Sequence, residues 1–497
     1  MNVKTALAVA VMAVTAAASA YEGPAYALAC WRGEETVVRM PDNLAGELGA
    51  LATGDQVRVE AYVLDTVGYS GPGSTRLAMR YDRLVRADDS DAGVPGPAML
   101  RVSVSEDAKP GVHDLGPVRV NVVDRVLPPP SEWRYLLDLW QHPWAVARYA
   151  GVEPFSQEHY AAMEPVWRTL AWCGVKPITT TLVELPWNHQ CYDAYRSMIG
   201  RVRRKDGTWR FDYARFDEYV GFCRRCGLGP RIDCYTMCPW GYVVRWLDEN
   251  GAVQRAKALP GTPEFADFWG DFLVDFSKHL KEKGWFDDVY IAMDERSPED
   301  VRIIADFIRE KAPGLKVQLA GNRNPSEFAG IRLDSYCQVL GCVTPEFLAE
   351  AGRRRERGER TTFYVCCGPE RPNTFMTSGD FEPYWLGAYP AIAGLDGFLR
   401  WAANSWPREP CDDAAFGNWA AGDTFLVYPD GRPSGRLLTL RAGVVAAEKL
   451  RILAAAGAFG EAERGAFAAK GFDCRKAMRG EVDFARLARE LEEFVNR

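Results

Sequence analysis

The sequence predicts a multidomain β then α/β chain: an N-terminal β-sandwich, a (β/α)8 barrel of the TIM type, and short C-terminal helices. Three observations predict it. Up to Leu127 the chain reads as short alternating runs separated by Gly/Pro turns. Pro128 to Pro130 then breaks any regular element. Beyond that break, apolar strands and amphipathic helices alternate eight times over about 320 residues, the size and grammar of a barrel. A doubly wound sheet is the alternative that the same alternation permits.

Residues 21–127 form the predicted sandwich. Val57–Val63, Arg101–Val104 and Val118–Val123 alternate apolar and polar side chains as half-buried strands do, and turn clusters lie at 71–74 and 93–97. The barrel is predicted over 131–456. Its strands are Trp133–Trp140, Val175–Val183, Arg231–Met237, Val289–Met293, Leu315–Leu319, Ser335–Leu340, Thr361–Cys367 and Gly397–Ala402. Between them the helical spacing recurs at Glu158–Cys173, Phe216–Cys226 closed by Gly227, and Thr262–Lys283 with Thr262 as N-cap and Gly284 beyond its end. Ser297 caps a helix that opens on Pro298 and runs to Lys311, and Thr344 caps one ending near Gly358. Tyr384–Ala393 and Leu437–Leu453 complete the set, and the helix between strands five and six is the weakest signal. Residues 457–497 read as one or two polar-faced helices packed outside.

Residues 1–20 have the form of a signal peptide: Lys4, an apolar stretch from Ala6 to Val14, and Ala18-Ser-Ala20 as the cleavage site. The expectation is an exported protein, periplasmic or extracellular. A lipoprotein anchored through Cys30 is disfavoured by that cysteine's distance from the apolar stretch. No later segment is long and apolar enough to span a bilayer. A net charge of −7 offers no general attraction to nucleic acid or anionic lipid. A neutral glycan fits better, because sugars stack on aromatic rings and the chain has 16 Trp and 20 Tyr. The five histidines lack metal-ligand spacing, so no metal or other cofactor is expected. The thirteen cysteines, including the Cys223/Cys226 pair and the neighbours Cys366 and Cys367, read as small buried thiols.

Barrel sites lie at the C-terminal ends of the strands, which selects candidates by position. Strand one ends in Gln141 and His142. Strand two is followed by Glu184, Trp187 and Asn188, strand three ends near Tyr235 and Trp240, and strand five ends in Asn322. Strand seven carries Tyr364, and strand eight gives Trp401, Asn404 and Trp406. Strand four ends in Asp294 and Glu295, the sharpest feature. Neighbours on a strand point to opposite faces, so both reach one pocket only if the strand loses its regularity there. The structural alternatives are an ion pair between Glu295 and Arg296, or Asp294 capping the next helix. Ordinary glycosidase acids flank the scissile bond, about 5 Å apart for retention and further for inversion. Adjacent acids suit a substrate-assisted reaction instead, in which the substrate's 2-acetamido oxygen is the nucleophile.

Several segments in order resemble glycoside hydrolase family 123, the β-N-acetylgalactosaminidases and their relatives with the same catalytic domain. They are Trp31–Glu34, Leu139–Pro143, Pro186–Gln190, Cys234–Met237, Met293–Glu295, Tyr364–Pro369, Gly397–Trp401, and Gly422-Asp423 leading to Tyr428-Pro429. The resemblance implies that Asp294 orients the acetamido group and Glu295 is the general acid/base. It implies an exo-acting hydrolase taking terminal β-linked N-acetylgalactosamine from a glycan or glycoconjugate. The same barrel acting on another sugar, or a carbohydrate-binding protein without catalysis, remain the alternatives. The oligomeric state is left open.

Overall fold

The computed structural model describes residues 26–42, 51–71, 76–87 and 96–497. The signal-peptide expectation and most of the two predicted turn clusters lie outside them.

Seven strands make up the N-terminal region: β1 (Tyr26–Arg32), β2 (Glu35–Arg39), β3 (Val57–Ser70), β4 (Leu77–Arg86), β5 (Ala98–Val104), β6 (Gly111–Asp114) and β7 (Val118–Val126). They form a three-stranded sheet, β1-β7-β6, and a four-stranded sheet, β2-β5-β3-β4. Alternate residues of both sheets, among them Val57, Val59, Leu100, Val102, Val118 and Val120, share one apolar cluster.

The next strands are β8 (Leu136–Leu139), β9 (Ile178–Thr181), β10 (Gly200–Arg203), β11 (Trp209–Asp212), β12 (Ile232–Tyr235), β13 (Val243–Asp248), β14 (Val253–Lys257), β15 (Val289–Asp294), β16 (Lys316–Gly321), β17 (Ser335–Val339), β18 (Arg360–Val365) and β19 (Gly397–Arg400). Eight of them lie parallel in one sheet, in the order β8-β19-β18-β17-β16-β15-β12-β9. Its two ends approach each other. Leu137 bridges Val175, the Lys176 amide donates to the Leu137 carbonyl at 3.1 Å, and the Gln141 side chain replaces ladder bonds by accepting from the Thr179 amide at 2.8 Å. The result is a TIM-like barrel and not a doubly wound sheet.

The helices are α1 (Pro143–Ala150), α2 (Gln157–Trp172), α3 (Ala214–Cys226), α4 (Pro263–Lys283), α5 (Pro298–Lys311), α6 (Pro345–Glu356), α7 (Glu382–Ala393), α8 (Gly435–Ala455), α9 (Glu461–Lys470), α10 (Cys474–Met478) and α11 (Phe484–Val495). The hydroxyls of Thr262, Ser297 and Thr344 accept from the amides of Phe265, Asp300 and Phe347, so all three expected caps form. Gly227 and Gly284 close their helices in the left-handed conformation. Between β16 and β17 the expected helix shrinks to a single turn at Pro325–Phe328. Three C-terminal helices form where one or two were expected. Helices α7 and α8 cross where Gly387 and Gly443 face each other's backbone: a Cβ at Gly443 would lie 2.1 Å from the Tyr384 carbonyl oxygen.

A second sheet, β11-β10-β13-β14, grows from the loops that follow β9 and β12, and so extends the catalytic side of the barrel. It escapes sequence reading because each of its strands is only four to six residues long.

The N-terminal sheets are fastened to the barrel by buried charge. Asp82 on β4 takes the Arg436 guanidinium bidentately, Nε to Oδ1 at 3.1 Å and Nη2 to Oδ2 at 3.0 Å, and Tyr428 Oη donates to Oδ2 at 2.7 Å. Arg436 Nη1 also donates to the Thr374 and Gly422 carbonyls. Both charges are buried to within 2%. Removing one partner strands the other, at a typical cost of about 3–5 kcal/mol. Asp82→Ala is therefore expected to lower the unfolding free energy by that amount in denaturant titration. A loss under about 1 kcal/mol would show that the pair does not hold the two parts together.

Candidate active site

The barrel brings a pair of acids to its mouth through one backbone irregularity. Met293 and Asp294 end β15 as buried residues, and Asp294 is 9% exposed. Glu295 then adopts φ = 51°, the left-handed region that non-glycine residues rarely enter. The Glu295 amide donates to the Ala320 carbonyl of β16 at 2.8 Å, which pins the reversal. Regular pleating, which would send the two side chains to opposite faces, is lost at this residue. Tyr364 near the end of β18 collects the result. Its hydroxyl donates to Glu295 Oε1 at 2.7 Å, and burial, together with both carboxylates, pushes that phenol well above its usual range.

Neither structural alternative for the acids forms. Ser297 is the cap of α5, and Arg296 Nε donates to the Asp294 carbonyl oxygen at 3.1 Å. The Asp294 side chain is desolvated. Burial pushes its carboxyl well above the usual carboxylate range and the Glu295 charge pushes the same way. Arg296 and the indole N–H groups of Trp187 and Trp240 pull partly back. Trp240, half-buried on the loop after β12, also donates to the Asp294 carbonyl oxygen at 3.3 Å.

The other candidates divide. Trp187 and Tyr235 form an aromatic layer with Trp140 beside Asp294. Trp187 stacks on Trp140 at 4.7 Å, Tyr235 lies 5.0 Å from Trp187, and Gln318 donates to the Tyr235 hydroxyl at 3.2 Å. Asn188 and Asn322 are exposed on loops that follow β9 and β16. Trp401 is buried against Asp423, which accepts its indole N–H at 3.0 Å, and meets Trp419 edge-on at 5.9 Å.

Three of the candidates are corrected by the structure. His142 and Asn404 are fully buried and spend their polar atoms on each other and on the backbone. Asn404 accepts the His142 amide at 2.9 Å and donates to its carbonyl at 3.1 Å. The His142 ring caps α1 and contacts the Asp193 carbonyl at 3.1 Å, and burial pushes its imidazole down to about 3. Trp406 has no exposed surface, and its N–H donates to the Val427 carbonyl at 2.6 Å. These three are wall, not platform. Position at a strand end cannot separate a side chain aimed into the mouth from one aimed into the barrel wall. Trp240, named at the end of strand three, and Arg296, next to the acid pair, both lie beside Asp294. Glu184 is neutralised by Arg245 at 3.0 Å and Arg196 at 3.9 Å.

Residues 140–453 match the model of the glycoside hydrolase 123 catalytic domain. The chain belongs to glycoside hydrolase family 123. A solved family 123 glycoside hydrolase from Clostridium perfringens, described in connection with glycolipid glycan hydrolysis, superposes with a TM-score of 0.79 at 23% identity, over 95% of this chain and 94% of that one. That likeness extends the shared fold beyond the catalytic domain. An endo-β1,6-glucanase (TM-score 0.39, 10% identity, 67% of this chain and 82% of that one) and a β-galactosidase from Marinomonas ef1 (0.36, 11%, 66% and 61%) superpose only loosely. No protein of curated function matches in sequence.

As a family 123 member the protein is a glycoside hydrolase, and its substrate is a glycan. Among the described residues no cluster of three His, Cys, Asp or Glu side chains is placed to hold a metal, and no helix is long and apolar enough to cross a membrane. The thirteen cysteines are free thiols, nine of them buried, including Cys223 and Cys226 on α3. The expectation of burial fails for Cys342, Cys366 and Cys411, half-buried, and Cys367, exposed.

Two substitutions separate wall from site. Trp406→Ala should cost about 3–5 kcal/mol of stability, as deletion of a buried Trp does. Tyr364→Phe should keep the melting transition near wild type yet lower turnover about tenfold, the worth of one hydrogen bond to a charged group. The reverse pattern would exchange the assignments.

Proposed function

We propose that the protein removes terminal β-linked N-acetylgalactosamine by a retaining, substrate-assisted mechanism, and that it acts outside the cytoplasm, as its leader-like first twenty residues suggest. One observation carries the reading: the two acids are sequence neighbours placed together by the reversal at Glu295. Such a pair does not straddle a sugar at the roughly 5 Å that a protein nucleophile and its acid require. The nucleophile is then the substrate's own acetamido oxygen. It attacks the anomeric carbon as Glu295 protonates the leaving oxygen, giving an oxazolinium ion. Asp294 accepts the acetamido N–H and stabilises the positive charge developing there. Glu295 next takes a proton from water, which opens the oxazoline, and two inversions leave the β configuration. Trp187 and Trp240 supply the aromatic surroundings that suit a sugar ring, with the fully buried Tyr235 packed behind Trp187. Asn188, Asn322 and Trp401 are proposed as outer contacts, with Trp401 held in place by Asp423.

The desolvated Asp294 makes the pH dependence informative. Its carboxyl holds a proton to higher pH than an ordinary carboxylate, so the empty site loses its anion as pH falls through that raised value. Bound substrate brings an N–H donor that favours the anion. The acid limb of kcat/KM, which reports the free enzyme, should therefore lie above the usual aspartate value of about 3.9. The acid limb of kcat should lie lower than that of kcat/KM. Coincident limbs near the ordinary value would count against this role for Asp294.

Glu295→Gln tests the proton donor. Loss of general acid catalysis should cost about 10²–10⁴-fold on a poor leaving group, and much less on a dinitrophenyl glycoside that needs no protonation. Equal losses on both would contradict the assignment.

A further inference from the structure

The turn that follows β18 carries a pair of thiols that the proposed reaction does not use. Tyr364 reaches Glu295, Val365 ends the strand, and Cys366 and Cys367 come next. Their sulfur atoms lie 3.8 Å apart. The turn is pinned on both sides: the Cys366 amide donates to the Gly368 carbonyl at 3.1 Å, and Asn373 Nδ2 donates to the carbonyls of Cys366 at 3.1 Å and Pro369 at 2.6 Å. Nine of the other cysteines are buried, whereas Cys367 is exposed.

The two sulfurs are also unlike. The contact with the Cys366 thiol, which also reaches the Gly368 carbonyl at 3.7 Å, holds Cys367 down to about 7, despite partial burial and the nearby charges of Asp423 and Glu295. The same contact, with burial, pushes Cys366 up. An exposed, more readily ionised thiol beside a less acidic partner is the arrangement of an attacking and a resolving cysteine.

We propose that Cys366 and Cys367 form a dithiol site that low-molecular-weight disulfides oxidise to a vicinal disulfide, and that ring closure slows the glycosidase by drawing Tyr364 off Glu295. The Cys367 thiolate attacks one sulfur of the small disulfide, forming a mixed disulfide and expelling one thiolate. Cys366 loses its proton to solvent and attacks Cys367 Sγ, expelling the second thiolate and closing the ring. The protein loses two electrons and two protons, and the small disulfide is reduced to two thiols. Closure brings the sulfurs from 3.8 Å to a bond of about 2.05 Å. Adjacent cysteines share one peptide, so the backbone of the turn must move. That movement begins two residues from Tyr364, whose hydroxyl donates to Glu295 Oε1 at 2.7 Å. The switching step rests on the proposed role of Glu295; formation of the disulfide does not.

The test treats the full-length protein with oxidised glutathione and reads two things. Peptide mass mapping after alkylation is expected to find Cys366 and Cys367 joined in one peptide, two hydrogens lighter than the reduced form. Hydrolysis of an aryl β-N-acetylgalactosaminide is expected to fall about tenfold, the effect of losing one hydrogen bond to a charged group, and to return with dithiothreitol. Cys366→Ser, Cys367→Ser and the double variant should fold and keep their activity under the same treatment. A glutathione adduct without ring closure, or no reaction, would overturn the dithiol site. A complete disulfide with unchanged hydrolysis, or equal inhibition of the double variant, would overturn the switch. A reduced protein that cleaves no β-N-acetylgalactosaminide defeats the proposed substrate, while the mass map still decides the dithiol site.

Discussion

The left-handed backbone at Glu295 is the constraint on which the site depends. Two acids at consecutive positions of a strand cannot serve one pocket while the strand stays regular. A non-glycine residue in a sparsely populated backbone region typically costs about 1–3 kcal/mol, and it persists only when its surroundings impose it. Here they do. The Glu295 amide is spent on Ala320 of the next strand, its carboxylate is held by Tyr364, and Ser297 and Pro298 begin α5 immediately afterwards. The geometry so fixed leaves the acids close together and deprives Asp294 of water.

Much of the frame was legible in the sequence because its signals are local. A Thr or Ser before a helix-opening Pro, or a Gly just past a helix end, names a boundary without knowledge of the fold, and Thr262, Ser297, Thr344, Gly227 and Gly284 all serve as expected. What escaped depends on distant partners. The small sheet of β10, β11, β13 and β14 forms only by pairing across two loops. The helix expected between β16 and β17 is a single turn. Of the residues that the strand-end rule selects, the structure brings Asp294, Glu295, Tyr364, Trp187 and Tyr235 together. The rule also admitted His142, Asn404 and Trp406, whose positions are equivalent along the chain but whose side chains turn into the wall. The acids within β8 and β12 sit inside their strands and carry no strand-end signal. Asp138 and Asp233 lie buried in the barrel with Arg231, which donates to Asp233 at 2.7 Å, so a polar layer occupies space that barrels usually fill with branched apolar residues.

The loops around the mouth owe their positions to buried charge. Arg400 at the end of β19 donates to the Val365 carbonyl and Thr374 Oγ1, and pairs with Asp423, which in turn holds Trp401. Arg436 donates to the carbonyls of Thr374, Gly422 and Phe425 while it clasps Asp82 on β4. Arg80, two residues earlier on β4, donates to the carbonyls of Met376 and Ser378. The four-stranded N-terminal sheet thus braces the long connection that follows β18, the connection that begins with the two thiols just beyond Tyr364.

The proposed internal nucleophile is tested most directly by removing it from the substrate. Aryl β-N-acetylgalactosaminide and aryl β-galactoside with the same leaving group differ at the reacting centre only in the acetamido group. Well-oriented intramolecular groups reach effective concentrations of about 10⁵–10⁸ M, so the acetamido substrate should be cleaved by many orders of magnitude faster, and its first-formed sugar should be the β anomer. Equal rates on the two glycosides, or an α product, would contradict substrate assistance and require a nucleophile or an activated water from the protein.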